Sequence, residues 1–306
     1  MQQYLTQRLL LSIPVIIGVT VIVFAILHLT PGDPVRIMAG PRATEERVQE
    51  IRSQLGLDRS IPEQYVRGLG HVLQGDLGTS IAGKRPVAEI IGERLPPTLR
   101  LALVSLIISV LLGIPLGVLA AVHHHRALDH LITFTSLFWF SIPGFWLGLM
   151  LILIFGLWLR WMPISGHQGV AAIILPTATL ALPQMGVLAR LMRTEMVEVL
   201  SGEYIKTAHA KGLHPLWVTY GHALRNALIP VAVMIFLSLP WLIGGAVVIE
   251  TIFAWPGMGR LMVQALTQKD FPVVQGLLLV IACTTVLANL LGDIVTALLD
   301  PRIQQA

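Results

Sequence analysis

The chain has 306 residues, of which 55% are hydrophobic and only 12% charged, with a formal net charge of +4. Soluble domains carry about 25% charged residues. With a mean hydropathy of +0.75, this composition excludes a soluble enzyme, a disordered chain and a nucleic-acid binder built on a dense basic patch, leaving an integral membrane protein.

A helix crossing about 30 Å of hydrocarbon needs roughly 20 apolar residues. Six stretches of that length hold no Asp, Glu, Lys or Arg: 9–32, 101–125, 130–159, 161–189, 226–249 and 271–292. Trimmed for turn residues, they predict an all-α integral membrane protein with six transmembrane helices near 9–29, 101–122, 133–157, 170–189, 228–248 and 275–297. Pro115, Pro143, Pro176, Pro183 and Pro240 fall inside these spans. Prolines are tolerated there when neighbouring helices satisfy the freed backbone groups, so a packed bundle is expected. Arg8, Arg126, Arg190, Arg193, Lys206, Lys211, Arg225 and Arg302 fall on one side, against Arg160, Arg260 and Lys269 in the short loops of the other. That excess places both termini in the cytoplasm. No small-residue cleavage site follows the first span, which reads as an uncleaved anchor.

Residues 30–100, with ten basic and nine acidic residues, form an extracytoplasmic insertion after the first helix. Thr30-Pro31-Gly32-Asp33-Pro34 has turn chemistry. Thr44 at an N-cap, Glu45 and Glu46 in the first turn and Gly56 past the end predict a helix over 44–56. A second helix is predicted over 62–73 from Pro62, and Gly75–Ser80 reads as loop. Too small and polar for a large core of its own, the insertion is expected to lie on the membrane domain. It serves there either as a structural cap or as a contact for an external partner.

In the cytoplasmic segment 190–225, Ser201 is placed to cap a short helix that Glu203 and Tyr204 open and Lys211-Gly212 close. Ile205, Ala208 and Leu213, with Tyr204, give it one apolar face. With small Ala208 and Ala210 it suits either docking in another protein's groove or lying on the membrane surface. After the fifth span, Glu250 and Arg260 bracket a turn-rich hairpin in which Trp255-Pro256-Gly257 makes a compact apolar turn. It reads as a pore-mouth element, with a plain loop as the alternative.

Asp293, at the inner end of the last span, is expected to pair with Arg225 or Arg302. His123, His124 and His125 are adjacent on a short loop and cannot all converge on one ion, so with His130 they read as a solvated juxtamembrane loop. His28 reads as an interfacial histidine, Trp158, Trp161 and Trp217 as interface anchors, and Met234, Met258 and Met262 as packing. The lone cysteine, Cys283, excludes a disulfide framework. No G-x-x-x-x-G-K-[ST] phosphate loop, H-E-x-x-H or C-x-x-C occurs, so no ATP site, cofactor site, metal site or catalytic residue is expected on this chain. No span carries a mid-membrane carboxylate of the kind that ion-driven secondary transporters use, which weighs against that class.

Tyr204, Thr207-Ala208, Ala210-Lys211-Gly212-Leu213, His222-Ala223-Leu224-Arg225-Asn226-Ala227-Leu228 and Pro230 resemble the EAA–Gly loop of bacterial ABC importer permeases, in the peptide-type branch. Lys206 replaces the Glu of the general pattern, and His209 stands where the branch commonly has Arg. Pro31-Gly32-Asp33-Pro34, Leu55-Gly56-Leu57-Asp58, Gly75-Asp76-Leu77-Gly78, Ile174-Leu175-Pro176, Glu250 to Arg260, Asp270 to Gly276 and Asp300-Pro301-Arg302 are similar to the same branch, so the likeness spans the chain.

The resemblance implies a type I ABC importer permease fold in the bacterial cytoplasmic (inner) membrane. It also implies an anchor helix and insertion over 1–94 and a transmembrane domain over 95–300. The short helix near 203–213 would be a coupling helix, contacting an ATPase through Glu203, Tyr204, Thr207, Ala208, Lys211, Gly212 and Leu213. The implied partners are a second homologous permease, two cytoplasmic ATPase subunits that carry ATP and Mg, and an extracytoplasmic substrate-binding protein, with membrane lipid around them and no nucleic acid. Short peptides are the implied substrate, and glutathione or nickel the nearest alternatives.

Overall fold

Charge-free sequence becomes helix in the computed structural model, which describes residues 2–29, 35–36, 43–54, 58–166 and 169–299. In chain order the helices are α1 (Gln2–Leu29), α2 (Glu45–Gln54), α3 (Ile61–Leu73), α4 (Val87–Val122) and α5 (Ala127–Ser141). Next come α6 (Gly144–Leu151), prolonged by a wider π-helical stretch Ile152–Trp158, then α7 (Ala171–Leu200) and α8 (Glu203–Ala210). After Pro215–Trp217 and a π-helical stretch Val218–Ala223, the chain ends in α9 (Leu224–Ile252), α10 (Met258–Thr267) and α11 (Phe271–Leu299). Among the described residues, five segments are each long and apolar enough to cross a membrane, and α5 with α6 makes the sixth only as a pair bent by 99°.

That bend corrects the expectation of one continuous helix over 133–157. A proline disfavours helical geometry in the residue before it, and Ile142 is extended at φ −78°, ψ 127°. Pro143 then stands at the N-cap of α6. Pro115, Pro176, Pro183 and Pro240, by contrast, remain inside continuous helices.

Several helices outrun the charge-free stretches that predict them. Helix α4 has 36 residues, about 54 Å at 1.5 Å per residue, so its charged first turns up to Arg100 stand outside the roughly 30 Å of hydrocarbon. At its far end α7 likewise carries Arg190, Arg193, Glu195 and Glu198 beyond the apolar stretch.

The centre of the bundle is the contact of α4 with α7, and glycine sets its closeness. A Cβ at Gly117 would lie 2.5 Å from the Ala189 carbonyl oxygen and 2.5 Å from Met192 Cβ, and one at Gly113 would lie 3.0 Å from Leu188 Cβ. In lipid, where no hydrophobic force drives helices together, such small-residue contact supplies the packing energy. Three apolar clusters hold the rest. One joins α4, α7 and α9 around Leu101, Leu180 and Leu242; a second joins α4, α7, α8 and α9 around Met192, Ile205 and Val231; a third joins α4, α10 and α11 around Val87, Met258 and Leu277.

Polar links tie the periphery to this bundle. Buried Asp129 at the start of α5 takes a two-point ion pair from Arg193 on α7 (2.5 and 2.7 Å), and it also accepts from the His125 N–H at 3.0 Å. His124 Nδ1 lies 3.3 Å from the same carboxylate, so the histidine loop, read from sequence as solvated, anchors one of its members in a charge cluster. Asp293 pairs with Arg8 of α1 at 3.3 Å. This partner was not foreseen and follows from α1 and α11 packing side by side, while the expected partner Arg302 lies outside the described residues.

The insertion lies on the membrane domain as expected. The Tyr65 hydroxyl of α3 is 2.8 Å from Thr20 Oγ1, and its ring meets Phe24 edge-on. Helix α2 starts as predicted, with the Arg47 N–H donating to Thr44 Oγ1 at 3.4 Å. Thr30 to Pro34, Leu55 to Leu57, Asp300 to Arg302 and the His28 side chain lie outside the described residues.

Candidate functional site

Helix α8 follows α7 after a single turn. Ser201 does not cap it: its hydroxyl donates to the Glu198 carbonyl at 2.7 Å, closing α7, and Gly202 takes the N-cap position. The C-terminus follows the expectation. Gly212 adopts φ +76°, its N–H donates to the His209 carbonyl at 2.9 Å and the Leu213 N–H reaches the Ala208 carbonyl at 3.4 Å. This is a Schellman closure, for which glycine is favoured because a Cβ is strained at positive φ.

Ile205 and Ala208 are buried in the protein's own core between α7 and α9, whereas Glu203, Tyr204, Lys206, Thr207, Lys211, Gly212 and Leu213 are exposed. Ala208, expected on the partner-facing side, therefore belongs to the seat of the helix. Lys206 Nζ donates to Glu203 Oε1 at 2.6 Å across one turn. Asn226 Nδ2 of α9 donates to the Tyr204 hydroxyl at 2.9 Å, so α8 is fixed to α9 on one flank and to α7 by the chain itself.

The hairpin after α9 is built around a carboxylate. Glu250 is wholly buried. It accepts from Thr98 Oγ1 at 2.6 Å and from the N–H groups of Gly259 (2.7 Å) and Arg260 (3.2 Å) at the start of α10. Thr98 in turn accepts from the Met258 N–H at 2.8 Å. A carboxylate at a helix N-terminus satisfies donors that the helix itself leaves open. Trp255 is buried with Nε1 donating to the Pro97 carbonyl at 3.1 Å, Arg260 Nη1 donates to the Ala254 carbonyl at 2.5 Å, and a Cβ on Gly257 would collide with the Glu250 carboxylate. Pro256 lies in the turn between them. The five hairpin residues thus assemble into one closed unit against the charged end of α4.

Sequence reading missed Thr98 and the helix α10, although Met258, Leu261, Met262 and Ala265 recur at helical spacing. It named Asp270 only within a motif and missed its contact: the carboxylate accepts from Ser80 Oγ (2.5 Å) and from the N–H groups of Ile81 (3.0 Å) and Ala82 (3.2 Å) in the insertion. A partner 190 residues away leaves no local signal.

Residues 113–305 match the family of binding-protein-dependent transport system inner membrane components, and residues 1–102 match the N-terminal region of the membrane components of such systems. The chain is 42% identical to the glutathione transport system permease protein GsiC of Salmonella paratyphi A, over 99% of both chains. It is 41% identical to the oligopeptide transport system permease protein AppB of Bacillus subtilis, covering 99% of this chain and 100% of that one. It is also 41% identical to the probable peptide ABC transporter permease protein y4tP of Sinorhizobium fredii, covering 98% and 99%. Among solved structures, the membrane subunit fold of the MetNI methionine ABC transporter superposes on 69% of this chain and 96% of its own with a TM-score of 0.59 at 18% identity. Helix order, packing and these likenesses agree that the chain belongs to the family of binding-protein-dependent transport system inner membrane components, as the membrane-spanning permease subunit of an ABC importer, a transport subunit that works with a substrate-binding protein and an ATPase.

Proposed function

We propose that the chain is one half of a heterodimeric pore for short peptides, paired with a second homologous permease and driven by two cytoplasmic ATPase subunits. Both termini lie in the cytoplasm, with residues 1–94 forming the anchor and insertion and 95–300 the transmembrane domain. The relatives named for oligopeptide, peptide and glutathione transport support a peptide substrate, and glutathione, itself a short peptide, is the second reading.

The observation that carries the mechanism is the seat of α8. Its inner face is continuous with the core that joins α4, α7 and α9, while its charged face is exposed. A push on Glu203, Tyr204, Thr207, Lys211, Gly212 or Leu213 from an ATPase therefore moves three spanning helices as a body, which is the rigid-body alternation that transport needs. The hairpin of Glu250, Trp255, Pro256, Gly257 and Arg260 stands at the pore mouth on the other side and is held rigid by its buried carboxylate.

Co-purification of the ATPase with wild type and with Gly212→Asp tests the coupling site. Any side chain at φ +76° strains the turn that presents the helix. Loss of the ATPase at normal membrane levels of the variant supports the site. Equal recovery from both removes it.

A further inference from the structure

The bend at Ser141–Pro143 opens a hollow in the bundle. Between the ends of α5 and α6, α7 and α9 lies a cleft of about 550 Å³, within the ~300–1,000 Å³ usual for small-molecule sites. Phe140, Phe145 and Trp241 make its walls largely apolar.

Polar groups interrupt this wall at Gln184 of α7 and Ser238 of α9, which are 5% and 4% exposed. Gln184 Nε2 donates to Ser238 Oγ at 2.5 Å, and Ser238 Oγ donates to the Met234 carbonyl at 2.7 Å. The Gln184 carbonyl oxygen has no hydrogen-bond donor among the described residues. This oxygen is the acceptor that Gln184 offers to whatever fills the cleft, and contents that can donate a hydrogen bond, water or a ligand, suit it better than lipid tails, which cannot.

The start of α6 opens onto the same space through Gly144 and Phe145. The first backbone bond of that turn runs from the Leu147 N–H to the Pro143 carbonyl at 3.0 Å. The N–H groups of Gly144, Phe145 and Trp146 find no acceptor among the described residues, and nothing stands within 4 Å of a Cβ position on Gly144. Free N–H groups at a helix start favour an anion, and interrupted membrane helices present such ends to substrates.

Resting on the peptide-import reading, we propose that this cleft is the part of the passage contributed by this subunit. A peptide's backbone amides meet Gln184 and Ser238, and its carboxylate meets the N-terminus of α6. The aromatic walls take side chains of varied shape without selecting among them. Neither Gln184 nor Ser238 stands in the loop motifs that identify the family.

The test uses the assembled transporter in vesicles, in a Cys283→Ala background. Ser238→Cys is exposed to a charged, water-soluble methanethiosulfonate, with Leu111→Cys, on the outer surface of α4, as the apolar-surface control. Expected is reaction at position 238 but not at 111, slowed by free-acid dipeptide and less by the same dipeptide amidated at its C-terminus. Peptide uptake by Gln184→Leu is expected to fall roughly 5–10-fold, the worth of one lost hydrogen bond, with partial recovery in Gln184→Asn.

A position 238 that reacts only with a lipid-soluble maleimide marks a lipid-filled groove and overturns the proposal. So does a position 238 that becomes unreactive to both reagents once the second permease is bound, which marks a helix seat. Wild-type vesicles that take up no peptide sink the peptide reading instead, and labelling at 238 with its protection by other substrates still decides the passage. Wild-type uptake with Gln184→Leu and labelled Ser238→Cys equally active sinks the passage alone.

Discussion

Glu250 shows how far a single residue's meaning depends on what surrounds it. Its position after the fifth apolar stretch marks it as notable, and its neighbours Trp255, Pro256 and Gly257 mark a turn. The partner that fixes its role, Thr98, lies 152 residues earlier, and no pattern in the chain announces the pairing. Thr98 works in both directions, donating to Glu250 at 2.6 Å and accepting from Met258 at 2.8 Å. Thr98→Val keeps the shape and removes both bonds. The buried Met258 N–H is left without its acceptor, at about 1–3 kcal/mol, and Glu250 keeps the Gly259 and Arg260 N–H groups but loses one of its three donors, which adds about 0.5–1.5 kcal/mol. Thermal unfolding in detergent should show an apparent Tm lower by several degrees. An unchanged Tm would mean that the hairpin is not held by this node.

At the scale of elements, the helices are legible because hydrocarbon forbids charge, and their directions are not, because hydropathy is blind to angle. The third stretch, 130–159, is as apolar as the others, yet Pro143 turns it by 99°. Eight other prolines lie inside unbroken helices among the described residues, so the residue type alone does not foretell the break. Close packing is similarly half-visible. Gly113 and Gly117 stand four apart on α4, a spacing that licenses a close helix contact without naming α7 as the partner. Gly117→Leu places side-chain atoms where Ala189 backbone and Met192 already stand, and overpacking of this kind costs typically 1–3 kcal/mol, occasionally more. Reduced membrane levels and a lower Tm are expected, whereas Leu111→Ala on the exposed surface of the same helix should leave both near wild type.

The join of α5 to α7 is also an element-scale device. Asp129 is fully buried and Arg193 partly so, and both fall in segments where the sequence shows only scattered charge near a span end. Removing one partner strands the other, at about 3–5 kcal/mol for a buried pair. Asp129→Ala should therefore destabilise more than the double variant Asp129→Ala, Arg193→Leu, which removes both charges. A double-variant cycle in detergent unfolding gives the coupling directly. Additive losses would show that the pair contributes no more than its separate contacts.

Across the whole molecule, the family and its fold are readable from short motifs whose apolar members enter the core clusters, while the polar links that hold the loops to the bundle join residues far apart in the chain. The clasp on Asp270 is the clearest of these, because it binds the insertion to the head of α11 and so fixes both on one side of the membrane. Ser80 Oγ and the N–H groups of Ile81 and Ala82 all converge on that carboxylate. Beside them Lys84 is exposed and held at φ +52°. Asp270→Ala releases three donors, each worth about 1.5–3 kcal/mol when bonded to a charged group, and the segment 79–86 loses its main hold. Trypsin should then cut after Lys84 in the variant and spare the wild type. The cut should appear when the protease is outside right-side-out vesicles and not when it faces the cytoplasmic surface of inverted ones. Cleavage only in the inverted vesicles would reverse the orientation drawn from the Lys and Arg distribution. Equal resistance of variant and wild type would show that contacts such as that of Tyr65 with Thr20 hold the insertion without the clasp.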